Sequence, residues 1–318
     1  MSTLLQDYAT RRAETHPSDV ALVMANERVT YGDLEADSNR LARFLSDDGC
    51  LPGDRICLFT PKSPSAIVAM HAILKAGAAY VPIDPASPAP RIAKIVDAAE
   101  PRLVLAAPGA AGLIDELVGA GRLRARIGSL EAAPVAGERF TAAFGPSDWS
   151  PLPSEPLERR GDPASMAHIL FTSGSTGTPK GVVITHANVV AFIEWAVSYF
   201  GIGPSDRLSG HPPLHFDLST FDIYGALAAG SELHLVPADL GVDPHRLAAL
   251  IRDSELTQWF SVPSVLTYMA KFDAVAQDDF PALVRLLWCG DVLPAPILVH
   301  WMKRLPHVRF TNLYGPTE

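Results

Sequence analysis

The sequence predicts an α/β fold, and three observations predict it. Strand-like and helix-like segments alternate along the whole chain, the pattern produced when parallel strands are joined by crossover helices. The 318 residues, 48% hydrophobic and 19% charged, are enough for a large buried core and exclude a disordered or fibrous chain. The 28 prolines and 23 glycines mark many turns between short elements.

Taken in order, TLLQDYATRRAE has helical spacing and ERVTY reads as a short strand. Residues 32–46 repeat apolar side chains at Leu34, Leu41 and Leu45, one face of a helix. DRICLF follows as a buried strand, then the helix SPSAIVAMHAILKAG, which Gly77 can close. AYVPID is the next strand, RIAKIVDAAE a helix stopped before Pro101, and RLVLA a strand. Residues 145–163, GPSDWSPLPSEPLERRGDP, hold five prolines and little periodicity. They read either as a connector between two lobes, 1–160 and 161–318, or as a surface excursion. Beyond them come strands HILF and GVVITH and a long helix, ANVVAFIEWAVSYF. SELHLV, QWFSV, VRLLWC and VRFTNLY read as further strands, with helices around 244–253, 263–272 and 295–304.

A net charge of −9 with no basic block argues against a nucleic-acid surface. The three cysteines, Cys50, Cys57 and Cys289, lack metal-ligand spacing and fit reduced thiols. With no apolar signal core and no run of eighteen apolar residues, the expectation is a cytoplasmic protein without a membrane or nucleic-acid partner. His211 and His215 are four apart, but Pro212 and Pro213 forbid the regular helix that would pair them on a metal.

The densest chemical signal is HILFTSGSTGTPKGVVITH, residues 168–186. Gly174 and Gly177 let backbone N–H groups approach phosphate oxygens, the hydroxyls of Thr172, Ser173, Ser175 and Thr176 add donors, and Lys180 adds a point charge. It departs from the Walker pattern, because Pro179 precedes Lys180, Gly181 follows it, and a strand continues the chain. By residue types alone the same stretch also reads as a hairpin of turn formers.

TSGSTGTPKG resembles the phosphate loop of the adenylate-forming superfamily, which includes acyl-CoA synthetases and nonribosomal peptide synthetase adenylation domains. VTYGDLEADSNRLARFL (29–45), LKAGAAYVPIDP (74–85), FDLS (216–219) and NLYGPTE (312–318) resemble further motifs of that superfamily, in its order, across nearly the whole chain. The resemblance implies two similar sheet-and-helix lobes of the large N-terminal domain, with ATP and Mg²⁺ as partners of the site. It implies that Thr172, Ser173, Gly174, Ser175, Thr176, Gly177 and Lys180 bind the triphosphate. Asn312 and Tyr314 would hold the adenine, with Gly290 and Gly315 beside it. Thr317 would approach the α-phosphate, and Glu318 would ligate Mg²⁺. Lys180, Thr172 and Glu318 are the implied catalytic groups, acting by charge stabilisation and alignment. Lys75 is expected to be structural, a cation at a helix end.

By the same resemblance, Asp217 falls where amino-acid-activating members bind the substrate ammonium, although it could equally cap the helix that starts at Leu218. Matching residue by residue, Phe216, Leu218, Phe221, Ser261, Leu287, Cys289, Gly290 and Leu313 complete the substrate pocket, with Leu287 and Cys289 expected on one side of a strand. That lining is mostly apolar and carries no counter-charge, so a small or modestly apolar amino acid is implied. LLWCGDVLP also resembles the corresponding stretch of D-alanine–carrier protein ligases.

The implied function is ATP-dependent formation of an aminoacyl-AMP, then transfer to the phosphopantetheine thiol of a carrier protein in natural-product biosynthesis. The alternatives are an acyl or aryl acid–CoA ligase, against which Asp217 stands, and a non-catalytic nucleotide-binding fragment. Superfamily members continue beyond the residue matching Glu318, with a ribose-binding Asp, a hinge and a small domain carrying a Lys. The 318 residues alone are therefore expected to bind nucleotide weakly and turn over little. Met1 falls just before the first helix of the superfamily pattern, giving the expectation of no preceding condensation-type domain.

Overall fold

The computed structural model describes residues 2–172 and 179–318. In chain order its strands are β1 (Val20–Met24), β2 (Glu27–Thr30), β3 (Arg55–Phe59), β4 (Ala79–Ile83), β5 (Leu103–Ala106), β6 (Arg126–Ser129), β7 (Met166–Thr172), β8 (Lys180–Thr185), β9 (Arg207–Gly210), β10 (Glu232–Leu235), β11 (Gln258–Ser261), β12 (Arg285–Trp288) and β13 (Arg309–Asn312). They form one six-stranded sheet, β6-β5-β3-β4-β7-β8, and one seven-stranded sheet, β13-β12-β11-β9-β10-β1-β2. The expected α/β class holds in both.

The two sheets fall in two compact units. The first comprises Met1–Asp19, Thr30–Phe192 and Pro213–His215, and the second Val20–Val29, Ile193–Pro212 and Phe216–Glu318. This division differs from a boundary at 160. The strand pair β7 and β8 stays with the first unit because β7 hydrogen-bonds alongside β4, with Tyr80 opposite His168. Conversely, Val20–Val29 joins the second unit, because Leu22 and Val23 pair in parallel with Leu233 and His234 of β10. The Pro-rich stretch belongs to the first unit. There Trp149 packs its ring against Phe44 and Phe144, and Arg43 and Asn39 donate to backbone carbonyls at Pro153, Glu155 and Ser154.

In the first unit, β3, β4, β5 and β6 are parallel and buried, and their apolar residues form a core with Ile92, Ile95, Val96, Ile114 and Leu117 of the flanking helices. The helix Tyr31–Asp47 begins with a capping box in which Thr30 accepts from the Asp33 backbone while Asp33 reaches back. The helix Pro64–Lys75 has Ser63 as its N-cap and Pro64 in its first turn. Lys75 ends that helix as expected, but it is also buried. Its Nζ donates to Glu35 Oε2 at 2.7 Å, Ser38 Oγ at 2.8 Å and Asn39 Oδ1 at 2.7 Å.

The second core gathers Trp259, Leu286 and Trp288 from the sheet with Leu247, Ile251, Leu266, Met269 and Trp301 from three helices. Among the described residues, no helix is long and apolar enough to cross a membrane. The three thiols are free. Burial pushes Cys50 up to about 11 and Cys57 up to about 12, so neither ionises near neutral pH.

Three buried histidines of the first unit make it acid-sensitive. Burial, reinforced by the Lys75 charge, pulls His71 down to about 3, and burial with the His186 charge does the same to His168. His186, whose Nδ1 accepts the Leu5 backbone N–H at 3.2 Å, falls to about 4, again chiefly through burial. Below the ordinary value of 6.5 the unfolded chain takes up these protons and the folded chain does not. Stability is therefore fully present above that value and is lost as pH falls towards the folded values. The three together change stability by roughly 4 kcal/mol per pH unit in that window. Urea midpoints are expected to be level above pH 7 and to drop steeply from pH 6.5 to 5; a flat profile would show that these imidazoles are not buried neutral.

Candidate functional site

In the first unit, Thr172 and Lys180 are the last register pair of the antiparallel strands β7 and β8. A short connection can only reverse the chain, so β8 runs against its neighbour, unlike the other pairs described in this sheet. Thr172 is half-buried and Lys180 is exposed. Ser173, Gly174, Ser175, Thr176 and Gly177 lie outside the described residues. Glycine at 181 follows from packing: a Cβ there would stand 3.0 Å from Ile169 and 3.1 Å from the Phe171 ring. A side chain beside Lys180 at position 181 would therefore push against β7.

In the second unit, the ends of β12 and β13 and the start of the helix Leu218–Ala229 come together. Asp217 occupies the N-cap position of that helix but makes no side-chain capping bond, which sets aside the capping role. Its Oδ2 instead accepts the Thr317 hydroxyl at 3.0 Å. Cys289, one residue beyond β12, lies close enough to Asp217 to be affected by it. Burial raises the thiol pKa, the Asp217 charge raises it further, and the backbone N–H groups of Gly290 and Gly315 oppose the rise. Gly290 turns the chain away from the strand at φ +99°, a region that disfavours any side chain.

The segment after β13 is tied down at every second residue. The Leu313 backbone N–H donates to the Trp288 carbonyl at 2.8 Å, that of Gly315 points at the Cys289 sulfur, and the Thr317 hydroxyl reaches Asp217. Asn312, Tyr314, Gly315, Pro316 and Glu318 are exposed, Tyr314 to 96%, whereas Leu313 and Thr317 are half-buried.

The remaining pocket candidates divide. Phe216 is exposed and Leu218 half-buried. Phe221 is fully buried, its ring centroid 5.9 Å from Phe200 and 5.7 Å from Phe260. Leu287 is fully buried opposite Phe260, with which it shares a sheet face. Ser261 pairs with Trp288 and accepts from Trp259 Nε1 at 3.0 Å, so it belongs to the other face. One sheet face does not hold both Ser261 and Leu287; a pocket using both would have to open at the strand ends. Cys289 continues past β12 rather than alternating within it.

Ligands of open α/β sheets bind outside the carboxyl ends of the strands, where Asp217, Cys289 and Tyr314 stand. This placement defines an α/β protein whose candidate site lies at the strand ends. The chain belongs to the AMP-binding enzyme family, whose model matches residues 9–318. It is 35% identical over 315 residues to an L-proline–[L-prolyl-carrier protein] ligase of Pseudomonas fluorescens, covering 99% of this chain and 61% of that protein. It is 30% identical over 302 residues to a D-alanine–D-alanyl carrier protein ligase of Bacillus cytotoxicus, covering 95% of this chain and 56% of that one. The crystal structure of the nonribosomal peptide synthetase FmoA3 superposes with a TM-score of 0.85 at 28% identity, over 100% of this chain and 32% of that one. The chain thus spans about three fifths of the length of the curated relatives it matches.

Proposed function

We propose that the protein activates the carboxylate of a small or modestly apolar amino acid with ATP and loads the product onto a carrier protein. In the first step a carboxylate oxygen attacks the α-phosphorus, the bond to the β-phosphate bridging oxygen breaks, and pyrophosphate leaves. In the second, the phosphopantetheine thiol of the carrier attacks the acyl carbon and AMP leaves. The observation that carries the reading is Asp217. A half-buried carboxylate at a strand-end site, free of any capping duty, suits an ammonium beside the carboxylate to be activated and opposes a fatty or aryl acid.

The other residues take roles that agree with their exposure. Tyr314 offers an aromatic face for a base, and Asn312 hydrogen-bonding groups beside it. Lys180, with the hydroxyl of Thr172 across the strand pair, would meet the phosphates, and the loop from Ser173 to Gly177 would supply backbone donors. Among the described residues no cluster of three His, Cys, Asp or Glu could hold a metal. Glu318 as a single exposed carboxylate fits Mg²⁺, which keeps several waters and takes most other ligands from phosphate; bound there, the ion would offset phosphate charge.

Amino-acid-dependent ATP–pyrophosphate exchange tests the reading, with a panel of small D-, L- and β-amino acids and with fatty and aryl acids as controls. Exchange with one or a few small amino acids is expected. Exchange confined to acyl or aryl acids would replace this reading with an acid–CoA ligase.

A further inference from the structure

The helix Ala295–Arg304 is apolar on the side where a surface helix ordinarily carries charge. Its inner stripe, Ile297, Leu298 and Trp301, packs on the second core. Its outer stripe is Ala295, Val299 and Met302, one face at i, i+4 and i+7, and Val299 and Met302 are 47% and 50% exposed. The strip starts at the rim of the candidate site, because Val292, two residues after Gly290, is 81% exposed. The helix Pro263–Lys271 lies alongside, its Leu266 carbonyl accepting from Trp301 Nε1 at 3.0 Å. Tyr268 of that helix and Phe272 just beyond it add two exposed rings, their centroids 4.6 Å apart. Charge is one-sided as well. In a chain of net charge −9, residues 292–317 contain no Asp or Glu but include Lys303, Arg304 and Arg309. Asp273, the residue after Phe272, is already paired with Arg304, while Lys271 and Lys303 are exposed at the ends of the two helices. Methionine and aromatic rings with acids depleted, edged by polar groups, is the composition of a protein interface.

We propose that this surface, Val292, Val299 and Met302 with Tyr268 and Phe272, is where the carrier protein docks, meeting it with an apolar helix face flanked by carboxylates. The inference rests on the carrier-loading reading above. A carrier brings its thiol to the strand ends on a phosphopantetheine arm, so its docking face has to adjoin the site, as this strip does at Val292. From there the helix runs for ten residues, about 15 Å, ending at the cations. Complementary charge selects the partner: Lys271 and Lys303 attract an acidic surface, and the absence of acids along the strip leaves nothing to repel it.

The test compares the natural full-length chain with its Val299→Asp, Val299→Asp/Met302→Glu and Lys303→Glu variants in three assays. These are ATP–pyrophosphate exchange, aminoacyl transfer to a panel of phosphopantetheinylated carrier proteins, and transfer to free pantetheine, a thiol that needs no docking. Thermal melts and sedimentation accompany each. Exchange and transfer to pantetheine are expected to stay within about twofold of wild type in every variant, because none of these residues touches the site. The carrier KM is expected to rise roughly tenfold or more in the two carboxylate variants, where a charge enters an apolar contact. Lys303→Glu is expected to raise it less and to weaken its dependence on salt. An unchanged carrier KM in the double variant would overturn the inference. So would a fall of several degrees in melting temperature with loss of exchange, which would mean that the protein's own chain covers the face. A wild-type dimer that the double variant splits would give the face to a second copy instead. Exchange with an amino acid but transfer to no carrier would overturn the inference alone, and wild-type protein silent in exchange would overturn the functional reading with it.

Discussion

Replacing Asp217 by alanine is expected to lower kcat/KM for the amino acid by roughly 10²- to 10³-fold while leaving ATP binding intact. The magnitude follows from what the substitution strands. A substrate ammonium drawn into a half-buried site loses its only proposed counter-charge, and breaking one side of such a pair costs about 3–5 kcal/mol. Asp217→Asn tests charge separately from shape: the amide can still accept the Thr317 proton, yet offers no negative charge. Its loss is expected to approach that of alanine. ATP affinity, measured with a fluorescent nucleotide analogue, is expected to be unchanged in both, because the residues proposed for the base and phosphates lie on other segments. Equal turnover by wild type and Asp217→Ala would remove the argument for an amino acid and favour an acid without an ammonium group. A parallel fall in ATP affinity would mean that the substitution had disturbed the strand ends as a whole.

The second large effect concerns folding. Lys75→Ala is expected to destabilise the first unit by about 3–5 kcal/mol, because Glu35, Ser38 and Asn39 are left facing a buried gap. Burial lowers the Lys75 pKa and the Glu35 charge opposes that fall, so each charge is tolerated only because of the other. Lys75→Met fills the space but still strands Glu35, so it is expected to recover little. Lys75→Met combined with Glu35→Gln removes both charges and is expected to recover much of the loss; Thr10 can still donate to the amide oxygen at 35. Differential scanning calorimetry of the set decides the matter. For a unit of this size the alanine variant is expected to melt about 10 °C lower. A shift of a degree or two would show that the network is hydrated, and additive effects of the two single changes would show that they do not interact.

Much of the architecture was legible because local signals and tertiary partners agree. The helices Tyr31–Asp47 and Pro64–Lys75 carry their own caps, and β3, β4 and β5 are continuous apolar runs of the kind buried on both faces. The strands β1, β6 and β9 carry no such local signal. VALVM, RIGS and RLSG are four or five residues long without a period to recognise, and their identity as strands comes from partners far along the chain, such as Leu233 for Leu22. The Pro-rich stretch stood out in composition, but its assignment to the first unit depends on Trp149 and on backbone carbonyls that Arg43 and Asn39 reach.

The site divides along the same line. The residue types needed for adenylate chemistry, Lys180 after a hydroxyl- and glycine-rich loop, Asp217 in FDLS, and Tyr314 and Glu318 in NLYGPTE, are written in short contiguous motifs. Contiguity is why they could be read. The helix-capping role for Asp217 was a local inference, and tertiary structure decided against it, through a hydroxyl from a distant segment. That Ser261 and Leu287 lie on opposite sheet faces carries no local signal either and follows from the register of β11 on β12. By itself the sequence determined the fold class and the chemical inventory, because hydrophobic period and motif chemistry act over a few residues. Only the tertiary structure decided which strands share a sheet and which donor holds Asp217, because those outcomes depend on register between segments whose separation in sequence carries no local signal.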